Sequence, residues 1–136
     1  MIVSTGIDLI EICRIKKAVE KHTGFLDKIL TAEEKKQYRE RGGKAETVAG
    51  IFAAKEAASK VLGTGIGKVG WHDIVVLKNM EGVPSITLKN NALSVAKEKG
   101  IKHIHISITH TKELAMAYAI GENNSFKEGV SLDEKR

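Results

Sequence analysis

The alternation and periodicity of apolar positions divide the chain into short strands and helices around one long helical stretch. Residues 2–10, Ile-Val-Ser-Thr-Gly-Ile-Asp-Leu-Ile, read as a buried strand with Ser4, Gly6 and Asp8 on one side and Val3, Ile7 and Leu9 on the other. Ile12, Ile15 and Val19 then recur at helical spacing to about residue 21, which leaves Arg14, Lys17 and Lys21 on a wetter face. Thr31-Ala32-Glu33-Glu34 matches a capping box and opens a polar helix that Gly42-Gly43 closes, residues whose pattern asks for nothing beyond structure. The longest helical pattern follows, from about Ala45 to Leu62. Asp73–Lys78 and Ser85–Lys89 read as a hairpin turning near Glu81-Gly82-Val83-Pro84, and Asn91 is placed to cap a short helix ending at Gly100. From 103 to 109 the alternation is strict: Ile104, Ile106 and Ile108 bury one face, while His103, His105, Ser107 and Thr109 line the other. Leu114, Met116, Tyr118 and Ile120 alternate with Ala115, Ala117 and Ala119 in a returning strand, and this antiparallel pair is expected to pack on the long helix.

That helix carries more chemistry than a core requires. At about 100° per residue, Val48, Ile51, Phe52, Ala58, Ser59 and Leu62 crowd one arc, and Lys55 falls inside it, where it is read as snorkelling. A neighbouring arc holds Ala49, Ala53 and Ala57 with Glu56 and Lys60, so an acid and a base stand one turn apart on a face of methyl groups that leaves room for a ligand. The same spacing also describes an ordinary solvated helix pair. Gly63-Thr64-Gly65-Ile66-Gly67 stops the helix and lets backbone approach another group closely; it is not a P-loop, since the Gly-x-x-x-x-Gly-Lys-Ser/Thr order is absent. Asp8 in an apolar strand needs compensation: it is either an N-cap for the next helix or a metal ligand. His103, His105 and His110 raise a zinc hypothesis that a His-x-His pair without a third ligand supports weakly.

With 136 residues the chain fits one domain over 1–121, and the Asn-, Ser-, Lys- and Glu-rich stretch 122–136 reads as a flexible tail. Hydrophobic residues at 42% and charged residues at 29% describe an ordinary globular protein. No apolar run is long enough to span a bilayer, and Asp8 and Glu11 interrupt the only hydrophobic start, so neither a membrane protein nor a secreted one is expected and the compartment is read as cytoplasmic. The lone Cys13 excludes an internal disulfide and reads as a packing or helix-surface residue. A net charge of +5 favours an acidic partner, whether nucleic acid, phosphorylated metabolite or acidic protein. A noncatalytic basic module for RNA or another polyanion is the alternative to an enzyme; aromatics at 4% give it no base-stacking platform, so no nucleic-acid partner is expected.

Taken together and in order, Gly6-Ile7-Asp8, Phe52-Ala53-Ala54-Lys55-Glu56-Ala57-Ala58-Ser59-Lys60, Gly63-Thr64-Gly65-Ile66-Gly67 and Ser107-Ile108-Thr109-His110-Thr111-Lys112-Glu113 resemble the bacterial holo-acyl-carrier-protein synthases, over roughly residues 2–121. The resemblance implies an α+β subunit of the 4'-phosphopantetheinyl transferase type, an antiparallel sheet packed on a long central helix, assembled as a homotrimer with active sites between neighbouring subunits. It implies transfer of 4'-phosphopantetheine from coenzyme A to a serine of apo acyl carrier protein, with release of adenosine 3',5'-bisphosphate. Asp8 and Glu56 match that family's carboxylate ligands for magnesium, and the chemistry agrees, because magnesium commonly takes one or two carboxylates plus substrate phosphate oxygens. Lys60 matches a lysine near the diphosphate, Gly63 a position where backbone lies close to the cofactor, and His110 and Thr111 positions that touch its 3'-phosphate. Arg14 matches a residue facing the carrier protein, with Lys21 and Lys28 on the same docking surface. By this reading His103 and His105 are not zinc ligands. Two departures bear on phosphate recognition: Ile51 stands where an arginine is common, and Gly42-Gly43-Lys44 is less basic than many relatives, leaving Lys44 to compensate.

Overall fold

The computed structural model describes residues 1–124. Its order is β1 (Ile2–Glu11), α1 (Ile12–Lys21), α2 (Phe25–Ile29), α3 (Ala32–Glu40), α4 (Ala45–Leu62), a 3-10 turn (Trp71–Asp73), β2 (Ile74–Lys78), β3 (Pro84–Leu88), α5 (Asn90–Glu98), β4 (His103–His110) and β5 (Leu114–Glu122). Strands β1, β5 and β4 form an antiparallel sheet in that order, and β2 and β3 form a separate hairpin. Because β5 runs to Glu122, with Asn123 N–H donating to the Met1 carbonyl, the sheet takes in the first residue of the expected tail; from residue 125 on, that expectation lies outside the described residues.

Register explains which face of the sheet is inside. Asp8 pairs with Ala117 and Ala117 with Ile108; Gly6 pairs with Ala119 and Ala119 with Ile106, so these residues share one face. Ala115, Ala117 and Ala119 are buried there beneath α4, whose own Ala49, Ala53 and Ala57 are also fully buried. Small side chains on both surfaces let helix and sheet approach closely, and Gly6 marks the limit: a Cβ there would collide with the Ala57 carbonyl oxygen and lie 3.0 Å from Lys60 Cβ. A Cβ at Gly50 would lie 3.1 Å from Ile108 Cγ2, so α4 crosses the sheet diagonally from β4 at its N-terminal end to β1 towards its C-terminal end. The methyl face of α4, expected to leave room for a ligand, is therefore filled by the sheet. The reading of β1 as a buried strand is corrected as well: its small and polar side faces α4, while Val3, Ile7 and Leu9 stand exposed.

Lys55 and the polar helix α3 are linked. Lys55 does not snorkel; fully buried, it donates to Glu34 Oε1 at 2.7 Å and to the Trp71 carbonyl at 2.7 Å. The capping box holds as read, with Glu34 N–H donating to Thr31 Oγ1 and Thr31 N–H to Glu34 Oε1. Glu34 Oε2 also accepts from Val76 N–H at 2.6 Å, and Gln37, one turn on, donates to the Lys78 carbonyl at 2.8 Å and accepts from its N–H at 3.0 Å. Two side chains of α3 thus satisfy the free edge of β2, where another strand would otherwise be needed. The turn Gly42-Gly43 closes α3 with both glycines at positive φ, Gly43 N–H returning to the Tyr38 carbonyl.

Three local expectations are revised. Asp8 caps nothing, because Glu11 is the N-cap of α1 and Asp8 lies within β1. Helix α5 starts at Asn90 after Lys89 as N-cap, and Asn91 instead donates its side-chain amide to the Lys68 carbonyl at 3.2 Å. The five-residue α2 has no counterpart in the sequence reading. Cys13 is exposed on α1. Among the described residues no helix is long and apolar enough to cross a membrane.

Candidate active site

The inner face of β1 and the exposed flank of α4 bring Asp8, Glu56 and Lys60 together. Helical spacing places Glu56 and Lys60 one turn apart, and the close approach at Gly6 brings that turn beside Asp8. Lys60 Nζ donates to the Ile7 carbonyl at 2.8 Å and stands 3.5 Å from Asp8 Oδ1. Partial burial raises Asp8 above the ordinary carboxylate range despite the opposing charge and hydrogen bond of Lys60. Burial also raises Glu56, and the charge of Asp8 pushes it further up, with Lys60 opposing. Two acids held near enough to repel, with one lysine between strand and helix, form a hard-oxygen donor pair suited to a divalent cation. Among the described residues no group of three or more His, Cys, Asp or Glu side chains converges as a metal cage. A cation here would take its remaining ligands from water or from a bound phosphate, and that donor set fits magnesium.

A second site lies at the other end of α4. A cleft of about 260 Å³ is lined by Arg41, Lys44, Lys78 and His110, with Glu46 and Thr47 on the α4 side and Gly50, Ile51 and Ile108 beneath. Lys44 is the N-cap of α4 and makes no side-chain cap. His110 continues into a neighbouring cleft with Thr111, Lys112, Ile12 and Lys16. Thr111 shapes the β4–β5 turn, its Oγ1 accepting from Leu114 N–H at 3.1 Å and Glu113 N–H at 3.3 Å. His110 Nδ1 lies 3.3 Å from the Thr111 carbonyl, an acceptor that requires the proton on Nδ1 and leaves Nε2 free to accept, or to donate once protonated. Neither cleft includes Asp8, Glu56 or Lys60, so a single chain does not merge the two groups.

The other expected residues are accounted for individually. Gly63 is the C-cap of α4 at φ 76°, and Lys99 reaches over it to donate to the Leu62 carbonyl. Arg14 and Lys21 are exposed on α1, one strip apart by two turns, and Lys28 is exposed on α2. His103 and His105 stack edge to face with ring centroids 4.2 Å apart on the outer side of β4, and His105 Nε2 lies 3.0 Å from Glu122 Oε1. Sequence reasoning passed over Arg41 and Lys78. Arg41 precedes the glycine turn and Lys78 ends a short strand, and neither position has a periodicity that marks a shared cleft.

Comparison with known proteins gives one consistent result. The family model described as the 4'-phosphopantetheinyl transferase superfamily matches residues 4–119. A holo-[acyl-carrier-protein] synthase of Alkaliphilus metalliredigens is 52% identical over 120 residues, covering 88% of this chain and 98% of that protein. A second, from Caldanaerobacter subterraneus subsp. tengcongensis, is 45% identical over 127 residues, covering 91% of this chain and 100% of that protein. Among solved structures, the Bacillus anthracis holo-(acyl-carrier-protein) synthase in complex with CoA (3',5'-ADP) is similar at a TM-score of 0.77 and 40% identity, covering 91% of this chain and 99% of that one. The Helicobacter pylori holo-[acyl-carrier-protein] synthase in complex with coenzyme A gives 0.77 at 32% identity, covering 88% and 100%.

Proposed function

Because the chain belongs to the 4'-phosphopantetheinyl transferase superfamily, we propose that it moves 4'-phosphopantetheine from coenzyme A to a serine hydroxyl of an apo acyl carrier protein and releases adenosine 3',5'-bisphosphate. The observation that carries this reading is the meeting of Asp8, Glu56 and Lys60 where β1 abuts α4. Asp8 and Glu56 would hold magnesium together with the coenzyme A diphosphate. Bound there, the cation neutralises phosphate charge and so favours displacement at phosphorus. Lys60, half-exposed beside Asp8, offsets the charge that collects on the departing bisphosphate as its bond to the pantetheine phosphate breaks. Glu56, beside the reacting phosphate, takes the serine proton as the hydroxyl oxygen forms the new bond to that phosphorus.

The remaining roles in this proposal follow the family's pattern. His110 and Thr111 serve the 3'-phosphate of coenzyme A, with Lys44 beside them, and the Gly63 backbone lies along the cofactor. As these groups lie apart from the carboxylates within one chain, a neighbouring subunit supplies one set and completes the site in a homotrimer. The exposed apolar face of β1 and β5, where Ile7 is 52%, Leu9 58% and Tyr118 45% exposed, is the surface that assembly would cover. Arg14, Lys21 and Lys28 present positive charge to the acidic helix of a carrier protein. Such an enzyme works in the cytoplasm and primes carriers for fatty acid synthesis.

Incubation with coenzyme A, magnesium and apo acyl carrier protein, followed by intact mass measurement, is expected to show one phosphopantetheinyl group added per carrier. Chelation of the metal, or Glu56→Gln with an unchanged circular dichroism spectrum, is expected to abolish the addition. Full transfer in either case would remove the metal assignment, and no transfer to any of several carriers would remove the reaction itself.

A further inference from the structure

The cleft at the N-terminal end of α4 gathers three cationic side chains and a histidine around an apolar floor. Lys78 reaches it from β2, Arg41 from the end of α3, Lys44 from the N-cap of α4 and His110 from β4, while Glu46 is the one acid in the lining. Among the described residues, Lys78, Arg41 and Lys44 take part in no ion pair. Partial burial, and then the charge of Arg41, hold the Lys78 ammonium below the usual lysine range. Three cationic side chains thus share one unpaired acid, a local excess of positive charge that a bound anion relieves. The first N–H groups of α4, left without a side-chain cap, open on the same cleft.

Lys78 is also the best-anchored cation of the group. Its backbone N–H and carbonyl are both engaged by the Gln37 amide, at 3.0 and 2.8 Å. Its register partner across the hairpin is Pro84, which has no N–H to offer. The beginning of the side chain is therefore fixed, and only its outer bonds need ordering when an anion arrives. Ile51, buried in the cleft floor, presents no charge.

We propose that Lys78, positioned by Gln37 and flanked by Arg41, is a further residue, beside His110 and Thr111, through which this chain recognises the 3'-phosphate of coenzyme A. The inference rests on the transferase reading above, which supplies the ligand. Arg41 adds a second contact, and the phosphate has two negative charges to divide between them.

The test compares coenzyme A with 3'-dephospho-coenzyme A by isothermal titration in the full-length protein with magnesium. Lys78→Met is expected to weaken coenzyme A binding about 10-fold to 100-fold, the range set by charge-assisted hydrogen bonds. The same variant should bind 3'-dephospho-coenzyme A within about twofold of the parent, because the lost contact involves only the missing phosphate. Lys78→Arg should restore most of the preference. Gln37→Leu should lower the ratio of the two affinities as well, a readout that general destabilisation leaves unchanged. Equal weakening of both ligands by Lys78→Met, or weakening of neither, overturns the assignment while leaving the transferase reading intact. Failure of the parent protein to bind coenzyme A or to modify a carrier overturns both.

Discussion

Asp8 and Glu56 are acids that folding makes less acidic, and their cost to the fold is measurable. Both are raised by partial burial, and Asp8 further raises Glu56, so the folded chain holds these protons more tightly than the unfolded one. Stability therefore falls as pH rises from ordinary carboxylate values through the raised ones; the deficit is fully present above the folded values and absent below the unfolded ones. Asp8→Asn and Glu56→Gln are each expected to raise the melting temperature at neutral pH by about 1 to 4 °C, with no gain below about pH 4. Calorimetry across that range checks the sign. Magnesium should then add to the stabilisation by coenzyme A in the parent and not in the variants, since only the parent keeps both carboxylates that would hold the cation. The sequence reading paired Glu56 with Lys60 because helical period alone brings them together. What brings Asp8 to them is the bare Cα of Gly6 against the Ala57 carbonyl, a tertiary contact with no periodicity of its own. Lys78 was illegible for a similar reason: its neighbours across the strand edge are side chains of a helix some forty residues earlier.

At the scale of elements, α3 and α4 are tied by a charge pair removed from water. Glu34 and Lys55 are both fully buried, and Glu34 also anchors β2 through Val76 N–H. Lys55→Met or Glu34→Gln is expected to cost about 3 to 5 kcal/mol in urea unfolding, because each leaves a polar partner stranded. The double variant should lose less than the sum of the two, a coupling that a thermodynamic cycle reads directly. Helices α1 and α4 were legible because apolar residues recur at helical spacing over several turns, and α3 through its capping box. Helix α2 was not: five residues without a side-chain cap give neither signal. Alternation identified β1 but not its orientation. Burying the larger hydrophobic side is the ordinary choice, and it loses here because only Ser4, Gly6 and the alanines of β5 let α4 come close enough.

For the whole molecule, the consequence of that orientation is a sheet with apolar side chains turned outward. Ile7→Lys combined with Leu9→Lys is expected to yield a folded monomer in sedimentation experiments and to remove transfer activity, since a separated chain would hold its two site groups apart with no neighbour to complete either. A monomeric parent with full activity would contradict this account. The alanine layer between α4 and β5 has a different consequence, one of dimension. It acts as a spacer gauge, because its thickness sets the gap between a carboxylate on the strand and one on the helix. Ala117 is the register partner of Asp8 and is buried under α4. Enlarging it to valine should prise that gap open, so that the order of metal-supported activity moves from magnesium towards the wider manganese and calcium ions. On this view ionic radius is gauged by methyl groups that never touch the ion.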